Sequence, residues 1–344
     1  MEYKYTNDKT TQIVLSLLKQ FGIKKIIASP GTTNIALVAS MQYDSWFEIY
    51  SSVDERSAAY MACGLSAESG EPVVLTCTGA TASRDYYPGL TEAYYRKLPI
   101  LAITGSHGDE LNGHLHPQVI DRTQQPKDAI KYSISVGSIN NSKDEWEVTT
   151  KVNTALIELK RHGGGPVHIN LRAATGAGYK TICLPKARKI SYYNTISTQM
   201  PLLNADKVAI FIGSHKPFSI EETAVLEEFC EKYNGVVFID HTSGYYGKYS
   251  VLNALHASQS YNKSKIYDVG LLIHIGEVSG EVYNTFRLKP GKTWRVSEDG
   301  EVRDLFEKLD AIFEMKEFDF FKWYCDQKSS TVTTTYYQDS RELY

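Results

Sequence analysis

The chain has 344 residues, of which 42% are hydrophobic, and this is long enough for two ordinary hydrophobic cores. Its formal charge of −3 comes from interspersed acidic and basic residues, which argues against nucleic acid or an anionic membrane as a partner. Five scattered cysteines, a polar N-terminus and the lack of an apolar run of about 20 residues argue against a disulfide framework, a signal peptide and a membrane helix. We therefore expect a soluble, reduced, cytoplasmic protein.

Short apolar runs alternate with helical patterns through the first half of the chain. The predicted helices cover residues 10–21, 33–41, 55–68, 86–95 and 148–161. The predicted strands are KKIIAS, a segment near residues 47–51, PVVLTC, LPILAIT and PVHINL. Short apolar strands that alternate with helices indicate a parallel sheet covered on both faces.

A second alternation of the same kind begins at KVAIFIG. The predicted helices cover residues 220–233, 282–286 and 302–313. The predicted strands are KVAIFIG, GVVFID, DVGLLIHIG and TWRV. The sequence therefore predicts an α/β protein with two doubly wound parallel-sheet domains, both Rossmann-like.

The domain boundaries follow from where periodicity is lost. Residues 1–175 are predicted to form the first domain and residues 205–316 the second, smaller one. Residues 176–204 mix Gly, Pro, Lys, Tyr and Thr and are predicted to be a linker. Residues 317–344 are predicted to be a connector.

Three segments at predicted strand ends carry candidate functional residues, and each also has a simple structural explanation. SPGTTN follows the first strand, where ligands bind in open parallel sheets, but a βα turn explains it equally. In DERSAAYMACGLSAESG, Asp54 or Glu55 can serve as a helix cap. Gly79, Ala80 and Ala82 permit close approach of a ligand, or only of a neighbouring backbone.

Taken together and in this order, these segments resemble a known family. S-P-G, D-E-R-S-A-A-Y-M-A-x-G-L and T-G-A-T-A-S-R-D-Y-Y-P-G-L-T-E-A-Y resemble the pyrimidine-binding domain of thiamin diphosphate (thiamine pyrophosphate, TPP) enzymes. These include acetolactate synthase, benzoylformate decarboxylase and the menaquinone-pathway SEPHCHC synthases. HIGEVSGEVYNTF and WRVSEDGEVRD resemble the central domain of the SEPHCHC synthases. The resemblance covers about residues 12–313 and implies the TPP-binding fold.

The resemblance implies a catalytic role for Glu55. In this family the matching acid lies against the pyrimidine nitrogen N1′, because a proton shared there drives the exocyclic amine to an imino form that can deprotonate the thiazolium carbon. Partial burial of that acid would help by raising its pKa toward neutrality. The resemblance also implies cofactor contacts from Pro30, Gly31, Thr32, Thr78, Gly79, Ala82 and Asp85.

The loop at residues 106–126 follows another strand end, where the family places substrate-facing residues. His114 and His116 resemble a histidine pair of pyruvate decarboxylases, and Gln118 resembles the glutamine of acetolactate synthases. Solvated loop histidines are the alternative explanation. A His-x-His pattern without a third ligand is a poor chelate, so we expect no metal site here.

One departure from the family concerns the substrate carboxylates. SEPHCHC synthases carry a serine and an arginine after S-P-G, where this chain has Thr32, Thr33 and Asn34. Without that arginine a bidentate carboxylate clamp is missing. Arg56 and Arg84 are nearby cations that could replace it or could pair with surface acids instead.

A second departure concerns the diphosphate. The family's G-D-G segment and asparagine pair, which hold Mg²⁺ and the diphosphate, are not found in this sequence. We therefore expect either a fragment of a longer enzyme or a subunit whose partner supplies that domain, inactive alone and working as a homodimer or homotetramer.

The expected activity is that of a TPP- and Mg²⁺-dependent lyase or transferase that decarboxylates or ligates a 2-oxo acid. GSHKPFS lacks the glycines of a dinucleotide fingerprint, so we expect no flavin or nicotinamide. The alternatives are a non-catalytic binding or assembly protein that keeps the fold, and a nucleotide-binding protein that uses the second domain.

Overall fold

The computed structural model describes residues 5–252, 257, 265–333 and 335–342. The chain forms two compact units, Met1–Lys189 (unit 1) and Ile190–Tyr344 (unit 2). Each has one sheet, and all pairings between the described strands are parallel. The predicted α/β class with two parallel-sheet, Rossmann-like units is therefore confirmed.

Unit 1 alternates helices and strands along the chain. Its helices are α1 (Lys9–Gln20), α2 (Ile35–Gln42), α3 (Glu55–Ser69), α4 (Thr81–Asp85), α5 (Tyr87–Arg96) and α6 (Ser142–Glu158). Its strands are β1 (Lys25–Ala28), β2 (Glu48–Ser51), β3 (Val73–Cys77), β4 (Ile100–Ser106), β5 (Tyr132–Val136) and β6 (Val167–Arg172). The order in the sheet is β2-β1-β3-β4-β6-β5.

Helices cover both faces of this sheet, which explains why its strands are apolar runs and not alternating ones. Ile26 of β1 packs on one face with residues of α1, α2 and α6. Its neighbour Ile27 packs on the other face with residues of α3 and α5. Because successive side chains of a strand point to opposite faces, a strand covered on both sides needs an apolar residue at every position.

Unit 2 has the same architecture with a seventh strand. Its helices are α7 (Ile220–Tyr233), α8 (Tyr283–Arg287), α9 (Glu317–Gln327) and α10 (Thr335–Arg341). Its strands are β7 (Ser191–Asn194), β8 (Val208–Ile212), β9 (Gly235–Ile239), β10 (Ser250–Leu252), β11 (Asp268–Ile275), β12 (Lys289–Ser297) and β13 (Leu309–Glu314). The order in the sheet is β10-β9-β8-β11-β12-β13-β7.

The structure differs from the predicted boundaries at both ends of unit 2. β7 lies inside the predicted linker and pairs with β13 as an edge strand. The predicted connector instead contributes α9, whose Phe320, Phe321 and Tyr324 are buried in the unit 2 core. It also contributes α10, whose Tyr336 is buried on the other face of the same sheet. Both segments therefore pack as parts of unit 2.

One predicted element has the wrong type. The helix predicted at residues 302–313 is instead a turn region followed by β13, which pairs in parallel with β12. Leu305, Leu309 and Ile312 have helical spacing, but Leu309 and Ile312 are buried in the sheet, whereas Leu305 is 52% exposed. The spacing was therefore a coincidence between a turn residue and a strand.

Candidate functional site

The carboxyl edge of the unit 1 sheet has a topological switch point between β1 and β3. The chain leaves β1 through α2 toward β2 on one side, and leaves β3 through α4 and α5 toward β4 on the other. Loops that diverge in this way leave a crevice above the strand ends, which is where open α/β sheets bind ligands. A cavity of about 280 Å³ lies there, lined by residues 30–33, 78–82, 105–107, 118–120 and 122. We call it the strand-end cavity.

Two glycines permit the close packing of the loops around this cavity. A Cβ atom on Gly31 would overlap the Thr78 side chain. A Cβ atom on Gly105 would lie 2.5 Å from the backbone oxygen of Thr33. Since Cβ contacts under about 3 Å do not occur without displacement, these positions accept no side chain as the loops now stand.

The S-P-G turn is fixed by the side chain of Asn34, one of the three residues that follow it where the family carries a serine and an arginine. Asn34 is buried, and its Oδ1 accepts a hydrogen bond from the Gly31 N–H at 2.9 Å. Its Nδ2 donates to the Ser29 carbonyl and to Thr76 Oγ1, both at 3.2 Å. Asn34 therefore ties the end of β1 to β3, and its amide does not line the cavity.

Two residues of the cavity lining have positive φ angles. Ala80 has φ 55° and ψ −136°, and Gln118 has φ 61°. Both line the cavity, and neither is a glycine. Such conformations are costly for residues with a Cβ atom and persist where the surrounding structure enforces them, as it does at ligand sites.

Glu55 is the first residue of α3, and its carboxylate has no bonding partner among the described residues. The preceding Asp54 is the N-cap and accepts a hydrogen bond from the Ser57 N–H at 2.7 Å. Glu55 is half-buried and has no hydrogen bond or ion pair to any residue that the structure describes. Burial raises the pKa of the Cys77 thiol to about 12, and the charge of Glu55 contributes to that rise, so the carboxylate lies near the end of β3.

The strand-end cavity brings together part of the predicted site. The predicted residues that line it are Pro30, Gly31, Thr32, Thr78, Gly79, Ala82 and Gln118. The predicted residues outside its lining are Glu55, Asp85, His114, His116, Arg56 and Arg84. Of these, Asp85, His114, His116 and Arg56 are exposed.

Arg84 holds a loop and does not reach the cavity. Its guanidinium contacts the Tyr87 hydroxyl and donates to the Asp121 carbonyl at 2.8 Å. The Tyr87 hydroxyl in turn donates to Gln125 Oε1 at 2.9 Å, and Gln125 Nε2 donates to the Arg122 carbonyl at 2.7 Å. These bonds fix residues 121–125 against α4 and α5.

Arg122 is the cavity residue that the sequence analysis did not identify. It is only 4% exposed, and its Nη2 donates to the Gly105 carbonyl at 3.2 Å. Its Nε and Nη1 have no hydrogen-bond partner among the described residues. Burial lowers the pKa of its guanidinium. It lies in a loop without periodicity, so only the fold reveals that it points at the cavity.

A buried histidine lies in the sheet below Arg122. His168 of β6 is within hydrogen-bond distance of Thr104 Oγ1 (2.8 Å) and of Ser133 Oγ (2.9 Å). Burial, assisted by the charges of Arg122 and Arg84, lowers the pKa of His168 to about 3. The imidazole is therefore neutral at physiological pH and links three strands.

Unit 2 has a larger cavity at the carboxyl edge of its own sheet. It measures about 620 Å³ and is lined by residues 214–216, 222, 276–277, 295, 297–299 and 316–318. Its lining combines three cations, the buried Arg295 with Lys216 and Lys316, with five acidic residues: Glu222, Glu277, Glu298, Asp299 and Glu317. Those acids leave the cavity without a net positive charge.

None of the helices in the part of the chain that the structure describes is both long and apolar enough to cross a membrane.

Comparison with known proteins supports the resemblance. Residues 8–125 match the family described as thiamine pyrophosphate enzyme, N-terminal TPP binding domain. A 2-succinyl-5-enolpyruvyl-6-hydroxy-3-cyclohexene-1-carboxylate (SEPHCHC) synthase of Bacteroides thetaiotaomicron is 29% identical over 332 residues, which cover 92% of this chain and 60% of that protein. The synthase of Porphyromonas gingivalis is 28% identical, covering 89% of this chain and 55% of that protein.

The chain therefore spans 55 to 60% of the length of these two curated relatives. A crystal structure from Mycobacterium smegmatis, described as that of a thiamin diphosphate-dependent enzyme, covers 97% of this chain with 14% identity and a TM-score of 0.44, and that chain is covered to 63%. A likeness at that level carries no argument about function.

Proposed function

We propose that this chain, which resembles the thiamine pyrophosphate-dependent enzymes and SEPHCHC synthase among them, is the pyrimidine-binding and central part of an enzyme that decarboxylates or ligates a 2-oxo acid. Glu55 is the carboxylate that contacts the aminopyrimidine. The single observation that carries the proposal is the position of Glu55: a half-buried acid without a partner among the described residues, at the carboxyl edge of a parallel sheet.

The division of roles between Asp54 and Glu55 supports this assignment. A helix needs one acceptor at its N-cap, and Asp54 supplies it. A second acid at the next position adds only a modest interaction with the helix dipole, of about 0.3 to 1 kcal/mol. Because its oxygens have no other described donor, Glu55 can give a proton to a ligand nitrogen and take it back.

The residues of unit 1 fit the aminopyrimidine end of the cofactor. Gly31 and Gly79 let the Thr78 and Arg122 side chains lie directly against the backbone that lines the cavity. Thr32 and Thr78 also line it, so hydroxyl groups are available there for a ligand. The ring would be held by Pro30, Gly31, Thr32, Thr78, Gly79 and Ala82. Asp85, the exposed last residue of α4, would contact the cofactor from outside the cavity lining. Thiamin diphosphate supplies the nucleophilic carbon and the electron sink for 2-oxo acid chemistry.

The diphosphate and its Mg²⁺ would be held by a domain outside residues 1–344. The family's G-D-G segment and asparagine pair, which supply the oxygen ligands, are not found in this sequence. That domain belongs either to the rest of a longer polypeptide or to a separate subunit. As the resemblance implies, the cofactor would lie between unit 1 of one chain and the diphosphate-binding domain of another, and we propose a homodimer or homotetramer.

Substitution of Glu55 by glutamine tests the proposal. In the enzyme assembled with its diphosphate-binding domain, Glu55→Gln should lower kcat for a 2-oxo acid about 10²- to 10⁴-fold, because glutamine cannot exchange a proton. The melting temperature should not change, because Asp54 caps α3. Asp54→Asn is the matched control and should keep both activity and cap.

Unchanged turnover in Glu55→Gln would remove Glu55 from the mechanism. Calorimetry with thiamin diphosphate and Mg²⁺ tests the alternative, a binding or assembly protein that keeps the fold. If the assembled protein binds no cofactor, that alternative replaces the enzymatic one.

A further inference from the structure

The strand-end cavity contains a positive charge that the free protein does not neutralise. Arg122 is the one charged side chain among the described residues that line this cavity, apart from the titratable ring of His107. Two of its three guanidinium nitrogens, Nε and Nη1, have no hydrogen-bond partner there. A buried cation in this state is costly, so its retention indicates an anionic partner that is bound during function.

The Arg122 guanidinium is held in place by contacts to the residue's backbone and to its side chain. Gln125 fixes the Arg122 carbonyl, and the Gly105 carbonyl receives its Nη2. A Cβ atom on Gly79 would lie 2.6 Å from Nη1, so the guanidinium lies directly against the glycine backbone. A charge held from several sides at a ligand cavity is preorganised for binding.

We propose that Arg122 binds the carboxylate of a small organic acid in the strand-end cavity, with Gln118 as a neighbouring amide donor. Under the proposed function, on which this assignment rests, the acid is the 2-oxo acid substrate. The inference gives to Arg122 the role for which Arg56 and Arg84 were the candidates, since Arg56 is exposed and Arg84 is bonded to Tyr87 and Asp121.

Charge favours a carboxylate over a phosphate. One guanidinium neutralises one carboxylate, whereas a phosphate group carries close to two negative charges at neutral pH. Among the described residues that line this cavity, Arg122 is the one arginine or lysine, so a phosphate would keep one charge without a partner. The cavity volume of about 280 Å³ is enough for an acid of a few heavy atoms.

Binding of small acids to the chain itself, without thiamin diphosphate, tests the inference separately from the proposed function. The probes are the monocarboxylates pyruvate and 2-oxobutyrate, with pyruvamide as the neutral analogue and inorganic phosphate as the competing anion. Nuclear magnetic resonance titration at low salt suits the weak dissociation constants, about 1 mM, that one charged contact supports. We expect the 2-oxo acids to bind and pyruvamide not to bind.

Three variants assign the binding to the guanidinium. Arg122→Gln should weaken 2-oxo acid binding about tenfold to a hundredfold, and Arg122→Lys should weaken it less, because the charge remains without the planar fork. Arg96→Gln is the matched control: Arg96 is exposed on α5 and pairs with Glu92, so binding should be unchanged. The melting temperature of Arg122→Gln without ligand should equal or exceed that of the parent, because an unpartnered buried charge is removed.

Each contrary outcome overturns the inference. If Arg122→Gln unfolds, the guanidinium is already satisfied in the free protein. If phosphate binds more tightly than the 2-oxo acids and depends on Arg122, the cavity takes a phosphate and not a carboxylate. If 2-oxo acids bind equally to Arg122→Gln, or do not bind the parent chain, Arg122 has no such role. Arg122-dependent binding of 2-oxo acids together with unchanged turnover in Glu55→Gln would overturn the assignment of Glu55 and leave this inference standing.

Discussion

Asp54 and Glu55 are adjacent in the chain but have different structural roles, since only Asp54 caps a helix. From the sequence either acid can cap α3, and only the structure assigns the cap to Asp54. Arg122, by contrast, could not be identified from the sequence at all. It lies in a loop, and its surroundings come from β3, β4 and the loops that follow them, which no local sequence pattern indicates. Site residues that open a helix are therefore predictable, whereas those brought in by a long loop are not.

The buried histidine of unit 1 should make stability depend on pH. The pKa of His168 falls from 6.5 to about 3 on folding, so the unfolded chain takes up a proton that the native protein excludes. The stability from the neutral ring is complete above pH 6.5 and is lost as the pH falls toward 3. Between pH 6 and 4 the loss approaches about 1.4 kcal/mol per pH unit.

Urea denaturation at several pH values measures this effect. His168→Gln keeps hydrogen-bonding groups near Thr104 and Ser133 but cannot take up a proton, so its stability should fall less steeply with acid. His116→Gln changes an exposed histidine and should keep the slope of the parent. Equal slopes in the parent and His168→Gln would contradict a neutral, desolvated His168.

At the scale of elements, α3 and α5 cross at a contact with no room for a side chain. A Cβ atom on Gly89 of α5 would lie 2.5 Å from the Ala59 Cβ atom of α3. The Cys63 thiol also approaches the Gly89 carbonyl, at 3.2 Å. Since α3 begins with Glu55, this crossing helps to set where the candidate catalytic acid lies.

Gly89→Ala should therefore destabilise the protein by about 1 to 3 kcal/mol, because the helices must separate to admit the methyl group. Gly64→Ala is the matched control in α3, since a Cβ atom there meets nothing within 4 Å. The control should stabilise the protein by about 0.5 to 1 kcal/mol through the better helix propensity of alanine. Thermal melting compares the two, and a Gly89→Ala protein as stable as the parent would show that the crossing adjusts freely.

Elements are predictable where local signals and tertiary packing agree. The bounds of α7 follow from the pattern because Ser219 and Glu222 form a capping box and Asn234 ends the helix in a left-handed conformation. β5 was not predicted, because an edge strand of five residues with only two fully buried side chains gives little periodic signal. β13 was predicted as a helix, because the spacing of its apolar residues gives no information about its pairing with β12.

At the scale of the whole molecule, the C-terminal segment completes a core. Residues 317–344 were predicted to be a connector, yet α9 packs four buried residues into unit 2. Phe320 lies at the centre of this contact, with its ring 4.8 Å from that of Phe313 and 4.9 Å from that of Tyr324. The composition of the segment gave the wrong prediction because the few aromatic residues of α9 are outnumbered by the polar residues around them.

Phe320→Ala should lower the stability of unit 2 by about 3 to 5 kcal/mol, because it leaves a cavity in that core. Lys322→Ala removes an exposed residue that pairs with Asp326, and should change stability by no more than about 0.5 kcal/mol. Hydrogen exchange read by mass spectrometry locates the effect. If Phe320→Ala speeds exchange only within α9 and leaves β12 and β13 protected, the segment behaves as a connector after all.

Parallel pairing in both sheets also bears on how the chain reaches its native state. β1 pairs with β3, and two helices and another strand lie between them in the chain, so such pairs cannot form through a short hairpin. Contacts distant in sequence must close before the sheets gain stability, and a high contact order slows folding. Apolar strands therefore stay unpaired for longer in the nascent chain, and productive folding competes with aggregation throughout that interval.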